Sequence, residues 1–342
     1  MSGELRAAIV GCGDISAVHI DAVGATPDAV VVAVCDPDDG RREAASRRAE
    51  APGYSSLTEL LDAAAPDVVH LCTPHHLHAD LAVECLARDV SVLVEKPLAH
   101  SLTDGERLAM AAEDSSALLG VCFQNRYNDT SRRLRELLDT GAVGTPVGGR
   151  ASVSWHRDAD YYAARDWRGR WDTAGGGVLM NQAIHTLDLL QWYLGPVVDV
   201  KGVAATLGLS GVIEVEDTAA MQLHHRTPAG AVSSVFHATN CDVENAPITV
   251  EIVTDSASIR LDTDLVVRYD DGRVDVTRPE AAGTGQRDYW GVSHTALITD
   301  FHQHVRLALA HEGGQFWLDA GVGLETLRII DAVYEQSPGI NR

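Results

Sequence analysis

Between residues 5 and 122, short continuous apolar runs alternate with amphipathic stretches, and this alternation limits the possible folds more than any other feature of the chain. The runs are "RAAIVG" (6–11), "VVVAVCD" (30–36), "DVVHLCTP" (67–74), 90–95 and 117–122. Helical stretches at 17–25, 38–50, 56–64, 77–88 and 103–113 fall between them. A strand without polar alternation is buried on both faces. Such strands separated by helices therefore predict a doubly wound parallel sheet with helices on each side.

The pattern changes after about residue 124. A helix at 130–139 ends at Gly141, and longer strands with period-two alternation follow at 147–155, 197–206, 215–225, 230–239, 247–254, 257–262 and 264–269. "HRTPAGAV" (225–232) reads as a hairpin turn between two of them. This predicts an α+β half with a large, mostly antiparallel, open-faced sheet. A helix at 177–194 interrupts the strands, helices near 293–311 and 320–335 close the chain, and 272–290 reads as a polar loop. A length of 342 residues agrees with two domains, 1–124 and 125–342.

The net charge of −22 argues against nucleic acid and anionic membrane as partners, because both are held by basic patches. No run approaches the ~18 apolar residues of a transmembrane helix, and "LRAAIVG" follows Met1 without a signal-peptide pattern. A cytoplasmic location is the expectation. Six cysteines (12, 35, 72, 85, 122, 241) form no CxxC pair, so they read as small buried residues and not as ligands.

Gly11-x-Gly13-x-x-Ser16 sits directly after the first strand and opens a helix. The first glycine permits a tight turn, the second lets a pyrophosphate reach the backbone, and a small third residue allows close helix–strand packing. The loop Gly11, Cys12, Gly13, Asp14, Ile15 would then hold a dinucleotide phosphate at the helix N-terminus. Asp36, closing the second strand, could accept the ribose hydroxyls and repel a 2′-phosphate, which favours NAD over NADP; Arg41 and Arg42 could partly offset it. The other reading of Asp36 is a turn residue before Pro37.

Ligands of such sheets bind outside the carboxyl ends of the strands. "CTPHHLHAD" puts Cys72, Thr73, Pro74, His75 and His78 on that rim, and "SVLVEKPLAHS" adds Glu95 and Lys96. Loop histidines are more often hydrogen-bonding groups than ligands, so no metal is expected. Lys96 is one of only two lysines, against twenty-five arginines, and Pro97 restricts it to extended conformations with a possible cis bond. Burial would lower its pKa and Glu95 would raise it again. Beside a nicotinamide it could donate to a substrate oxygen and stabilise developing negative charge; otherwise it is a lysine that reaches water from a strand end. In "WDTAGGGVLMNQAIHTLDLLQWYLG", Asn181 and His185 are one helical turn apart, with Asp188 three residues further on, after a triple glycine. His185 is a candidate general base.

These motifs together resemble the Gfo/Idh/MocA family of nicotinamide-dependent sugar and cyclitol dehydrogenases. The residues that carry the likeness are Gly11-Cys12-Gly13, Asp36, Thr73-Pro74 with His78, Glu95-Lys96-Pro97 and Gly175–His185–Asp188, with "NRYN" (125–128), "YYAARDWRGRW" (161–171) and "VEDTAAMQL" (215–223). The resemblance implies a Rossmann domain, a second domain whose open sheet mediates dimers or tetramers, and hydride transfer at a secondary alcohol. It makes Lys96 and His185 catalytic with Asn181, adds Asn125, Trp167 and Arg168 to the cofactor contacts, and offers Arg126, Tyr127, Arg157 and Tyr161 as substrate contacts. Many inositol dehydrogenases of the family carry aspartate where this chain has Asn181. The expected reaction is oxidation of a secondary hydroxyl of a sugar, sugar derivative or cyclitol by hydride transfer, with C3 of a glycoside or nucleotide-linked sugar the case the motifs resemble more than inositol. An inositol dehydrogenase, a dinucleotide-binding sensor and an NAD-dependent glycoside-cleaving enzyme are the alternatives.

Overall fold

The computed structural model of the protein describes residues 3–228, 230–279 and 292–340. The chain divides into two compact units, Met1–Gln124 with Ala282–Leu324, and Asn125–Ala281 with Glu325–Arg342.

The first unit runs β1 (Leu5–Val10), α1 (Ser16–Ala25), β2 (Ala29–Cys35), α2 (Asp39–Ala49), β3 (Gly53–Tyr54), α3 (Leu57–Ala64), β4 (Val68–Leu71), α4 (His78–Leu86), β5 (Ser91–Val94), α5 (Leu102–Glu113) and β6 (Leu119–Val121). The six strands are parallel in the order β3-β2-β1-β4-β5-β6. β4 and β5 are buried at every position, as their unbroken apolar runs require. The order reverses between β1 and β4, so the loops after these two strands flank a topological switch point.

The second unit contains α6 (Asp129–Asp139), β7 (Pro146–Ser154), α7 (Ala159–Ala163), α8 (Trp171–Ala174), α9 (Ile184–Leu194), β8 (Val197–Ala205), β9 (Thr218–Thr227), β10 (Gly230–Thr239), β11 (Thr249–Thr254), β12 (Ala257–Leu261), β13 (Leu265–Tyr269) and β14 (Val274–Thr277). Its eight strands form one sheet in the order β14-β13-β12-β11-β7-β10-β9-β8, antiparallel except where β10 pairs with β7. α9 lies on the buried face, and Gly149 of β7 leaves room there for Leu190 and Leu194. On the opposite face Lys201, Gln222, Val235, Arg150 and Glu251 stand in register across five strands, and Val235 is 53% exposed.

Three expectations change. Residues 292–324 do not belong with the second half: α10 (Val292–Leu309) packs on α1, Thr299 bonds Thr26 at 3.0 Å, and Phe301 and Phe316 close over Gly120 of β6. Leu318 also accepts the Val121 N–H at 2.8 Å, which covers the edge of the sheet. Part of the expected loop 272–290 is strand β14, and 280–290 lies outside the described residues. The expected helix 177–194 starts with a π turn over Leu179–Ala183 before α9. The final helix, α11 (Ala320–Gln336), and the remaining strands fall within a few residues of expectation. Among the described residues, no helix is long and apolar enough to cross a membrane.

Candidate active site

At the carboxyl end of β1 the chain turns through Gly11 with φ +87°, a conformation that disfavours any side chain. A Cβ at Gly11 would lie 2.7 Å from the Cys72 carbonyl, so only glycine lets the β1 and β4 loops approach this closely. Gly13 is the opposite case, because a Cβ there would meet no atom within 4 Å. No side chain caps α1, which starts after Ile15. An open backbone before an uncapped helix N-terminus fits a pyrophosphate.

Asp36 is buried and pins this loop. Its Oδ2 accepts the Cys12 N–H at 2.8 Å, and its Oδ1 accepts the Asp38 N–H at 2.9 Å and Arg41 Nε at 3.3 Å. These contacts are those of a turn residue, the second of the two readings of Asp36. It shapes the turn, and a carboxylate with about four acceptor sites still has one left on Oδ2 for a ribose hydroxyl. Cys12 is a buried thiol, pushed up to about 12 by burial and then by Asp36, which makes it unreactive at neutral pH.

His78 opens α4 and ties two rim loops together, its Nδ1 lying 2.8 Å from the Pro97 carbonyl and its Nε2 2.9 Å from that of Thr73. Burial lowers its pKa, and a neutral ring can donate to only one of the two carbonyls at a time. His75 is buried on the same loop. The Lys96–Pro97 bond is cis.

Glu95 is also buried. Its Oε1 lies 3.0 Å from His19 Nε2 and 3.9 Å from His294 Nε2, and its Oε2 accepts the Lys96 N–H at 3.3 Å. Burial by itself would raise the Glu95 pKa. The His19 hydrogen bond, with the charge of Lys96, outweighs burial and holds the carboxyl below the usual carboxylate range. Lys96 therefore has an ionised carboxylate as its immediate chain neighbour. Cys122 completes the surroundings of Glu95: burial, then Glu95, pushes its thiol pKa up. His19, Glu95 and Cys122 place three potential ligand atoms within 4.8 Å of one another.

In the second unit the π turn carries Asn181 and α9 carries His185, both half-buried. π turns recur at functional sites because they change which side chains share a face. Glu216 fixes the start of this segment by accepting the Gly177 N–H at 2.8 Å and the Leu179 N–H at 2.9 Å. Burial raises its pKa to about 7. Asn181 Nδ2 and Gln182 Nε2 donate to the Tyr161 hydroxyl at 3.2 and 3.0 Å. The Arg168 and Arg157 guanidiniums lie 4.2 and 5.0 Å from the Tyr161 ring centroid. Asn240 continues the network to Gln182 Oε1 and the Tyr162 hydroxyl. Trp167 lies beside Arg168. The structure thus places Asn181, Tyr161, Arg157, Trp167 and Arg168, expected singly as substrate or cofactor contacts, in one cluster.

Two expected substrate contacts sit elsewhere. Arg126 is buried in a bidentate pair with Asp188, with contacts of 2.8 and 2.6 Å, and Tyr127 is buried beneath Arg132. Asp188 therefore supports Arg126. A guanidinium held by a buried carboxylate is a structural pair, since separating the two would leave a charge unpaired in the interior. Asn125 lies half-buried in the short turn before them. The reading also missed the histidines around Glu95. His70 was the visible signal, a histidine inside the otherwise apolar run of β4.

Comparison with known proteins agrees with this geometry. Residues 5–123 match the model of the oxidoreductase family with an NAD-binding Rossmann fold, and residues 131–260 match the GFO/IDH/MocA C-terminal domain. The chain is 30% identical to the WlbA dehydrogenase of Bordetella pertussis, solved with NADH and UDP-GlcNAcA, over 97% of this chain and 96% of that one, with a TM-score of 0.80. It is 25% identical to a D-apiose dehydrogenase of Rhizobium rhizogenes over 98% of this chain and 95% of the relative. An inositol 2-dehydrogenase of Rubrobacter xylanophilus is 30% identical over 56% of this chain and 53% of its own length. The chain belongs to the Gfo/Idh/MocA family. It is an NAD-dependent oxidoreductase acting on CH–OH groups, of the class that includes sugar and cyclitol dehydrogenases.

Proposed function

We propose that this enzyme oxidises a secondary hydroxyl of a sugar derivative, with C3 of a nucleotide-linked sugar as the preferred class. The carrying observation is Lys96, presented after β5 beside an ionised Glu95, on the same rim as the open Gly13 loop. Gly11–Ile15 and Asp36 would hold NAD, which when bound accepts the substrate hydride. Lys96 donates to the substrate oxygen and stabilises the negative charge that grows on it. His185 takes the hydroxyl proton, and Asn181, braced on Tyr161, orients the sugar. The nucleotide-linked class draws its support from the likeness to WlbA across nearly the whole chain, and from a neutral asparagine at 181.

A screen of NADH formation over nucleotide-linked sugars, uronic acids, aldoses and inositols, each repeated with NADP, tests this reading. A nucleotide-linked sugar should give the fastest reduction, and NADP should act about tenfold or more weakly, because Asp36 repels a 2′-phosphate. An inositol as the best substrate would reject the nucleotide-linked class. Failure of every substrate would point to a sensor, and leaving-group release without net NADH would point to glycoside cleavage.

The exposed face of the eight-stranded sheet, with Val203, Val235 and Val253 each about half exposed, is the surface on which we expect a second copy to pack. Sedimentation should show a dimer or tetramer. A monomer at micromolar concentration would reject this.

A further inference from the structure

Glu95 is the end of a longer chain of buried contacts. His19 Nε2 lies 3.0 Å from Glu95 Oε1, His19 Nδ1 lies 2.9 Å from His70 Nδ1, and His70 Nε2 lies 2.9 Å from His302 Nε2. The three rings come from α1, β4 and α10, and each is at most 1% exposed. Three buried imidazoles in series are costly unless every contact is a true hydrogen bond.

With neutral rings only one arrangement satisfies the contacts and leaves Glu95 ionised. The carboxylate can only accept, so His19 carries its proton on Nε2 and its Nδ1 must accept. His70 therefore donates from Nδ1 and accepts at Nε2, and His302 donates from Nε2. The proton-free position is then His302 Nδ1, which is buried and has no hydrogen-bond partner among the described residues. The reverse polarity needs a protonated Glu95, and it strands an N–H at that same position. An unpaired buried N–H is the worse of the two defects. Burial independently favours neutral rings at His70 and His302.

We propose that His302, His70 and His19 form one polarised hydrogen-bond chain that terminates on Glu95 and fixes its carboxylate, ionised, beside Lys96. These histidines are positioning residues. They never touch substrate, and they act through Glu95 on the lysine. Among the described residues, the other titratable groups facing the chain include Cys122, Cys72, His78 and His294 at Glu95, and Arg306 at His302. α10, distant in sequence, thus contributes to the state of the rim. The functional half of this inference rests on the proposed role of Lys96, whereas the hydrogen-bond half does not.

Two measurements separate these halves. In ¹⁵N-histidine-labelled protein, ring NMR should show Nε2–H for His19, Nδ1–H for His70 and Nε2–H for His302, with scalar coupling across the His19–His70 contact. Lys96→Ala should leave that pattern in place. The opposite polarity, or a stoichiometric metal in the purified protein bound by these rings, would overturn the proposal. In turnover, His70→Leu should shift the acid limb of the kcat/KM profile upward by about one pH unit, roughly a tenfold loss on that limb, with NAD affinity within threefold. His70→Gln, which can both donate and accept, should restore most of the loss. Should His70→Leu fail to fold, His302→Leu at the far end serves instead, with a smaller upward shift. An unchanged acid limb in a folded variant rejects the positioning role even if the tautomers are as assigned.

Discussion

Lys96→Ala is expected to lower kcat by about 10³-fold while changing the NAD dissociation constant by less than about threefold. Removing a single donor to a developing oxyanion costs roughly 10²–10³ in kcat. Loss of a positive charge next to an ionised Glu95 adds to this, because the carboxylate then faces the reacting oxygen without its neighbour. The cofactor affinity should survive because the dinucleotide loop, Gly11 to Ile15 with Asp36, lies at the ends of β1 and β2, strands apart from β5. The check is steady-state kinetics beside fluorescence titration of NADH. Lys96→Arg should not rescue, since a planar guanidinium cannot replace a compact ammonium. Retained turnover in the alanine variant would remove Lys96 from the chemistry.

The second large effect is an acid-labile fold. His294 and His302 have pKa values lowered by burial to about 4 and about 3, and His70 is lowered well below its ordinary value. As pH falls below 6.5 the unfolded chain takes up protons that these folded histidines refuse, so stability falls. At pH 5, His294 and His302 together cost roughly 4 kcal/mol, at about 1.4 kcal/mol per unit each. That is a large share of the ~5–15 kcal/mol that holds a typical domain together. Glu216 opposes this with a pKa raised to about 7, so its contribution is fully present below about 4.5 and lost as pH rises through 7. It returns roughly 2–3 kcal/mol on acidification to pH 5 and then saturates. The histidines win, and the decline steepens below pH 5. Urea midpoints taken between pH 8 and 4.5 should fall accordingly, and His302→Leu should flatten that fall. A midpoint independent of pH over this range would mean that these rings are not buried as neutral groups.

Much of this protein is legible in its sequence, for reasons that differ by element. The parallel strands announced themselves because burial on both faces leaves no room for polar alternation, and β4 and β5 are buried at every position. Gly11 is readable because its tight turn leaves no room for a Cβ, and Gly13 because it keeps the backbone open after that turn. Asn181, Tyr161, Arg157 and Arg168 were assigned to a site one by one, but their common cluster was not visible. It depends on a π turn that no hydrophobic period encodes, and on Asn240, which arrives from beyond β10. The Asp188 pair of Arg126 is hidden for a related reason. An arginine in a polar "NRYN" segment looks available until a carboxylate 62 residues later is found buried against it.

By itself, the sequence determined the two sheet types, the glycine loop with Asp36, and the placement of Lys96 at a strand end. These follow from local rules of burial period, turn geometry and chain direction. Tertiary structure decided which groups surround Glu95, the chain neighbour of Lys96. His19, His70 and His302 lie 51 and 232 residues apart along the chain, and α10 returns from beyond the second sheet to supply the last of them. Hydrogen bonds between such distant residues exist only after the hydrophobic burial of α1, β4 and α10 has brought the rings together. Their proton positions then follow from the one carboxylate at the end of the line.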